Sequence, residues 1–203
     1  MISGRDVIAA AGACGRLLEP ALAADWSVPV PGLDFTVASV VAHAASGPLW
    51  YAVDLWGGTQ ESAAFELGVR ASAPSEALLA SLHTAARVCA ASVDAAPATI
   101  RGFHPAGAAD ASGFAAMACD ELLVHTHDAA TGLGLAFRPD PGLAAGVLAR
   151  LFPWHEAGAA PWQTLLWANG RIELPGRPAQ RNWRWHCAPL AEWEAGQGSP
   201  PGG

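Results

Sequence analysis

The chain has 203 residues, of which 52% are hydrophobic and 14% are charged, and its formal net charge is −7. This composition is typical of a compact globular protein and excludes a disordered chain. The acidic balance argues against nucleic acid as a partner, because binding to phosphates requires a basic surface. No apolar run reaches the roughly 18 residues that cross a bilayer, so we expect no membrane segment.

The four cysteines form no C-x-x-C pair and lie in apolar or aromatic surroundings, so we interpret them as small buried thiols of a reducing compartment. The N-terminal segment faintly resembles a secretory signal, but Asp6, Arg16 and Glu19 interrupt its apolar run. We therefore interpret it as a helix of a cytoplasmic protein.

Apolar residues recur at helical spacing from about Ser3 to Ala24, which predicts a first helix. Thr36 is the predicted N-cap of a second helix that starts at Val37. This second helix is apolar on nearly all faces, so we expect it to be deeply buried, with His43 in its middle. Pro48 removes one helical hydrogen bond and predicts a kink beside His43.

A third helix is predicted from Ser75 to about Asp94, with its first residue as the cap and Val88 in its inner stripe. A fourth helix is predicted to open at Asp110 or Ser112 and to end near Gly132.

Two shorter helices follow, over residues 140–152 and from Pro161 to just before Gly170. Residues 172–174 and 183–187 alternate in polarity, which fits either a two-stranded β element or extended segments. We predict an all-α fold with a helical bundle over residues 1–136. The C-terminal helices and a Trp-rich extension, residues 137–203, should pack on the same domain.

Glu121 and His125 are four residues apart in the fourth predicted helix, so their side chains lie one above the other on one face. A carboxylate and an imidazole in this arrangement can bind one divalent cation, and Asp128 falls on the same side one turn later. His127 points away from that face, so we discount it as a ligand. The alternative is a solvated Glu–His pair on the helix surface.

His43 supplies a third candidate ligand, because side chains from facing helices meet in the core of a bundle. With Glu121 and His125 it forms a His₂Glu set, as in catalytic zinc sites that keep one position open. Zinc is our first expectation, and the same donors can hold nickel, iron or manganese.

Two segments carry a resemblance to a known family. These are Trp26-Ser-Val-Pro-Val-Pro-Gly-Leu-Asp-Phe-Thr-Val followed by Val41-Ala-His43, and Cys119-Asp-Glu121-Leu-Leu-Val-His125-Thr-His-Asp128. They resemble the mycothiol-dependent maleylpyruvate isomerase family, which belongs to the DinB-like superfamily of metal-binding four-helix bundles. The resemblance covers most of residues 1 to 135, and the tail is shorter than the C-terminal domain of the isomerase.

The resemblance implies that the metal ligands are His43, Glu121 and His125, and that Asp128 holds a ligand imidazole. It implies an enzyme that activates a low-molecular-weight thiol, mycothiol, for S-transfer to a small electrophile or for isomerisation.

For the substrate we expect Trp50, Tyr51 and Asp54 to line the mouth of the pocket, and Arg184 or Arg171 to meet a substrate carboxylate.

Two other functions stay open at this point. One is a metal-dependent hydrolase that uses bound water and no thiol. The other is a non-catalytic bundle that binds a small ligand or a partner, in which tryptophans serve an interface. A homodimer is a further expectation, because bundles with apolar outer faces often dimerise.

Overall fold

The computed structural model describes residues 1–61, 65–155 and 160–193. Within these residues the fold is all-α, as predicted, and contains isolated β-bridges but no strand. The α-helices in the described ranges are α1 (Gly4–Leu18), α2 (Val37–Trp56), α3 (Ser75–Ala95), α4 (Ala111–Gly132), α5 (Pro141–Leu151) and α6 (Pro161–Ala168).

The N-termini of α2 and α4 are capped as the sequence predicts. The Thr36 side chain accepts a hydrogen bond from the backbone N–H of Ser39 over 3.2 Å. Asp110, rather than Ser112, caps α4, and its side chain accepts from the N–H of Gly113 over 2.7 Å. Each side chain satisfies an N–H that has no partner inside its helix, so these two starts are set by local sequence.

Two expectations for α3 are wrong. Pro74 is the N-cap, and Ser75 is the first helical residue, whose hydroxyl donates to the carbonyl of Leu22 over 2.9 Å. Val88 is exposed rather than inward-facing. It lies six residues after the buried Leu82, about 240° around the helix, so the two cannot share a face.

Helices α1 to α4 form the bundle, and α4 lies at its centre because it packs against α1, α2, α3 and α5. Most of α4 is buried, including Phe114, Met117, Leu122 and Leu123. Small side chains on the neighbouring helices allow close packing around it. This central position makes α4 a rigid support for the polar residues that it carries.

The C-terminal extension is attached to the bundle through a buried arginine. Arg150 of α5 donates to the Asp110 carboxylate over 2.6 Å and to the carbonyls of His186 and Cys187, each over 2.9 Å. Of the two alternatives for the tail, extended segments are observed. In the described part of the tail, one bridge joins Leu174 and Arg177 and no strand forms.

A search of the described residues finds no helix with both the length and the apolar character needed to cross a membrane.

Candidate metal centre

Helices α2 and α4 approach closely at the site because α2 carries a glycine there. A Cβ atom on Gly47 would lie 3.3 Å from Cγ of Glu121, tighter than most side-chain contacts. His43 lies one turn before Gly47, on the same face of α2. The glycine therefore brings His43 and Glu121 together across the helix pair.

The structure brings the three predicted ligands into one cluster. Donor atoms of His43, Glu121 and His125 all lie within 4.8 Å of one another. Oε2 of Glu121 is 3.0 Å from Nε2 of His125 and 3.4 Å from Nε2 of His43. The two imidazole rings meet edge to face, with centroids 4.8 Å apart. Three donors this close together can bind one divalent ion, for which bonds to nitrogen and oxygen are about 2.0–2.2 Å.

The expectation that His43 is deeply buried is wrong. Its side chain is 45% exposed, against 17% for His125 and 12% for Glu121. The neighbours of His43 on α2, Ala42 and Ala44, are buried in the core, whereas His43 points out of the bundle at the edge of the α2–α4 contact. The cluster therefore has a buried side on α4 and an accessible side on α2.

The donor set fits a metal ion because a buried carboxylate oxygen faces two imidazole nitrogens without a well-formed hydrogen bond to either. Oε1 of Glu121 accepts a hydrogen bond from the hydroxyl of Tyr51 over 3.1 Å. Oε2 is shielded from solvent, and the described residues supply no hydrogen bond of acceptable geometry to it. A buried carboxylate oxygen without a donor is costly unless a cation binds it.

His125 is held by a chain of contacts that ends in the C-terminal extension. Its Nδ1 lies 3.0 Å from Oδ2 of Asp128. Arg171 donates to the same carboxylate through Nε and Nη2, and through Nη1 to the carbonyl of Asn169. A proton on Nδ1 would leave Nε2 available to a metal ion, as where a carboxylate lies behind a metal-binding histidine.

The charges of the cluster are coupled. Burial raises the pKa of the Glu121 carboxyl, but His125 and His43 outweigh it and hold the pKa below its usual range. Burial lowers the pKa of His125, but Asp128 and Glu121 raise it to about 9. Burial raises the pKa of Asp128, and its bonds to His125 and Arg171 reverse the shift. Both carboxylates are thus ionised at neutral pH and can support a cation.

An apolar cavity of about 250 Å³ opens over the two histidines. Its lining residues are Leu33, Phe35, Val40, His43, His125 and Arg171. The Phe35 side chain is exposed at the edge. A small molecule in this cavity would reach the imidazole side of the cluster in apolar surroundings.

The residues that we expect to contact substrate are dispersed. The Trp50 ring meets the His43 ring with centroids 5.5 Å apart, and its Nε1–H donates to the carbonyl of Leu67. Tyr51 is buried against Glu121, and Asp54 is half-buried, with its pKa raised by burial. None of the three lines the cavity over the histidines.

Of the two arginines expected to meet a substrate carboxylate, Arg171 lines that cavity and Arg184 does not. Arg184 lines a different pocket, whereas Arg171 lines the cavity together with His43 and His125. His127 packs edge-on against Trp162, with centroids 5.9 Å apart, and it is not in the metal-binding group, as expected.

One polar residue at the site was missed by sequence reasoning. Asp120, next to Glu121, is buried and accepts hydrogen bonds from Asn169 Nδ2 and Trp185 Nε1, each over 3.0 Å. Burial and the nearby Glu121 raise its pKa to about 7. A signal was present, since an aspartate inside a long apolar run of a buried helix needs a partner.

The cysteines are free and buried, as predicted. Burial raises the pKa of Cys14 and of Cys89 to about 12 and that of Cys187 to about 11, and it raises the pKa of Cys119 well above its usual range. A reactive cysteine needs a low pKa and access to solvent. None of the four meets these conditions.

Comparison with known proteins gives one match. The family model described as "Mycothiol maleylpyruvate isomerase N-terminal domain" matches residues 7–130, which is more than half of the chain. The matched region contains His43, Glu121, His125 and Asp128 but ends before Arg171. No curated protein and no solved structure gives a significant match to the chain.

Proposed function

Since the chain belongs to the mycothiol maleylpyruvate isomerase N-terminal domain family, we propose that it is a metal-dependent enzyme that uses a low-molecular-weight thiol, mycothiol. The proposal includes His43, Glu121 and His125 as the metal ligands. The observation that carries it is the buried Oε2 of Glu121, which lies 3.0 Å from Nε2 of His125 and 3.4 Å from Nε2 of His43. A divalent metal in this set would lower the pKa of a thiol in its open position and supply a thiolate at neutral pH.

The chain's own residues prepare the site in three ways. Tyr51 holds Oε1 of Glu121, so that Oε2 faces the imidazoles. Asp128 orients His125. The apolar wall formed by Leu33, Phe35 and Val40 limits water at the open side, which strengthens electrostatic interactions there.

An external thiol is favoured because the cysteines of the chain are unsuitable. All four are buried with raised pKa values, so none offers a thiolate at neutral pH. In this proposal the thiol is a substrate that enters the cavity of about 250 Å³ over His43 and His125.

Two reactions follow from a bound thiolate. In S-transfer, a sulfur–carbon bond forms on an electrophilic carbon while the leaving group departs with its electron pair, and the thiol proton goes to solvent. In isomerisation, sulfur adds to a conjugated double bond, the resulting single bond rotates, and sulfur leaves again. The second reaction regenerates the thiol.

The test begins with protein purified without chelators and analysed for bound metal. Turnover is then measured with mycothiol and monobromobimane for S-transfer, and with mycothiol and maleylpyruvate for isomerisation. We expect about one divalent ion per chain and thiol-dependent turnover of one pair. His43→Ala should lose the metal and the activity, and His83→Ala, a half-exposed histidine of α3 outside the cluster, should keep both.

Each alternative outcome has a distinct meaning. Full thiol-dependent activity in His43→Ala removes the proposed mechanism. Metal-dependent hydrolysis without a thiol favours the hydrolase. Protein that binds no metal after reconstitution with zinc, nickel, iron or manganese favours a non-catalytic bundle.

A further inference from the structure

A second pocket lies outside the metal cluster and outside the cavity above it. It has a volume of about 350 Å³, at the lower end of the range for small-molecule sites. We call it the tryptophan pocket and define it by its lining residues: His104, Pro105, Ala106, Trp183, Arg184 and Trp185. Three of them come from the C-terminal extension, beyond the region that the family model matches.

The aromatic walls of the tryptophan pocket are held by other contacts. The Trp185 ring is anchored by its Nε1–H, which donates to the buried Asp120. The Trp183 ring packs against that of Trp185, with centroids 5.6 Å apart, and against Phe152 at 6.1 Å. Because these rings are fixed before any ligand arrives, a flat molecule can stack on them at a low entropic cost.

His104 contributes a neutral hydrogen-bond donor. Its Nδ1 accepts the backbone N–H of Ala106 over 3.1 Å, which leaves the proton on Nε2. Burial lowers its pKa, so the ring is uncharged at neutral pH. Nε2 has no hydrogen-bond partner in the described part of the chain.

Arg184 contributes the only positive charge among the lining residues. Its side chain is exposed, and it makes no hydrogen bond or ion pair with residues 1–61, 65–155 or 160–193. A guanidinium with no partner among the described residues, beside indole faces, matches a planar carboxylate, because it can bind both oxygens while the rest of the molecule stacks.

We propose that the tryptophan pocket is a binding site for a small aromatic carboxylate. The aromatic ring lies against Trp183 and Trp185, and the carboxylate pairs with Arg184, with the Nε2–H of His104 as a second donor. None of the three candidate metal ligands lines this pocket, so the inference does not rest on the proposed function. Arg184 is the one cation among the lining residues of this pocket, so a monocarboxylate matches its charge.

The test uses the full chain after removal of metal by a chelator, so that a carboxylate cannot bind through the metal centre. Benzoate and benzyl alcohol, which share a ring and differ in charge, are titrated by isothermal calorimetry. We expect benzoate to bind in the low millimolar range or tighter, and benzyl alcohol to bind at least about tenfold more weakly.

Variants then locate the site. Arg184→Gln should weaken benzoate binding at least about tenfold. Arg181→Gln removes an exposed arginine of the same tail segment and should bind as the wild type does. Trp183→Leu should also weaken binding, with circular dichroism used to confirm that each variant is folded.

Three outcomes overturn the proposal: benzoate binding no stronger than that of benzyl alcohol, benzoate binding unchanged in Arg184→Gln, or binding that requires bound metal. The last would assign carboxylate recognition to the metal centre. Because the experiment uses metal-free protein, failure here leaves the test of the thiol reaction intact, and failure of that reaction leaves this one intact.

Discussion

The hydroxyl of Tyr51 donates a hydrogen bond to Oε1 of Glu121 over 3.1 Å. The two residues lie on α2 and α4, and their contact determines which carboxylate oxygen faces the histidines. Oε1 is occupied by the phenol, and Oε2 is the buried oxygen beside both Nε2 atoms. Tyr51, which we expected to line the substrate pocket, thus lies where it can orient Glu121, a candidate metal ligand.

Tyr51→Phe should weaken metal binding by roughly tenfold or more, because the carboxylate then loses the donor that orients it. The measurement is competition against a chromophoric chelator at neutral pH. Removing the hydroxyl also leaves a buried oxygen unpaired, which lowers the free energy of unfolding by about 1–3 kcal/mol. The dissociation constant is therefore measured well below the unfolding temperature. An unchanged constant would show that Tyr51 has no role in orienting Glu121.

Arg171→Gln and Asp128→Asn should each weaken metal binding roughly tenfold, because both act on the orientation and basicity of His125. Because Arg171 acts on His125 through Asp128, the double variant should bind metal about as weakly as whichever single variant binds it more weakly. Arg171→Lys should recover part of the loss, and Arg181→Gln should cause none. Strict additivity in this cycle would contradict the series arrangement.

Gly47→Ala should weaken metal binding without lowering the stability of the fold. Alanine in a helix interior stabilises the fold by roughly 0.5–1 kcal/mol relative to glycine, but the new Cβ would lie 3.3 Å from Cγ of Glu121. We therefore expect thermal stability near or above that of the wild type together with weaker metal binding. Calorimetric melting of the metal-free protein and the chelator competition measure the two quantities. Wild-type metal affinity would show that Glu121 adjusts to the extra methyl group.

The free energy of unfolding should fall at alkaline pH because of the buried thiols. Cys89 is the simplest of them, because burial is the one cause of its pKa shift. Burial raises its pKa from 9.0 to about 12. Between these values the unfolded chain loses the proton while the folded chain keeps it. The stabilisation is therefore complete below pH 9 and declines as pH rises toward 12, by up to about 1.4 kcal/mol per pH unit. Denaturant unfolding of wild type and Cys89→Ala at several pH values should give a shallower decline in the variant; parallel curves would contradict the prediction.

Local rules account for the parts of the site that lie within one helix. The spacing of Glu121, His125 and Asp128 places them on one face wherever α4 packs, and the Nδ1–Oδ2 contact of 3.0 Å agrees with that expectation. The caps Thr36 and Asp110 depend only on neighbouring residues and are confirmed. Local rules did not predict the orientations of Val88 and Ser75, because an apolar side chain or a hydroxyl does not by itself indicate which way it faces.

The helices, the candidate ligands and the family resemblance could all be predicted from short segments of sequence, because helical spacing, caps and motifs are local properties. Three features emerge only from the folded chain: His43 is half-exposed, Tyr51 bonds Glu121, and Arg171 reaches Asp128 from 43 positions away. Such contacts depend on which faces of separate helices meet. That is settled by the packing of the whole core, including one glycine where α2 meets α4, and not by any single stretch of chain.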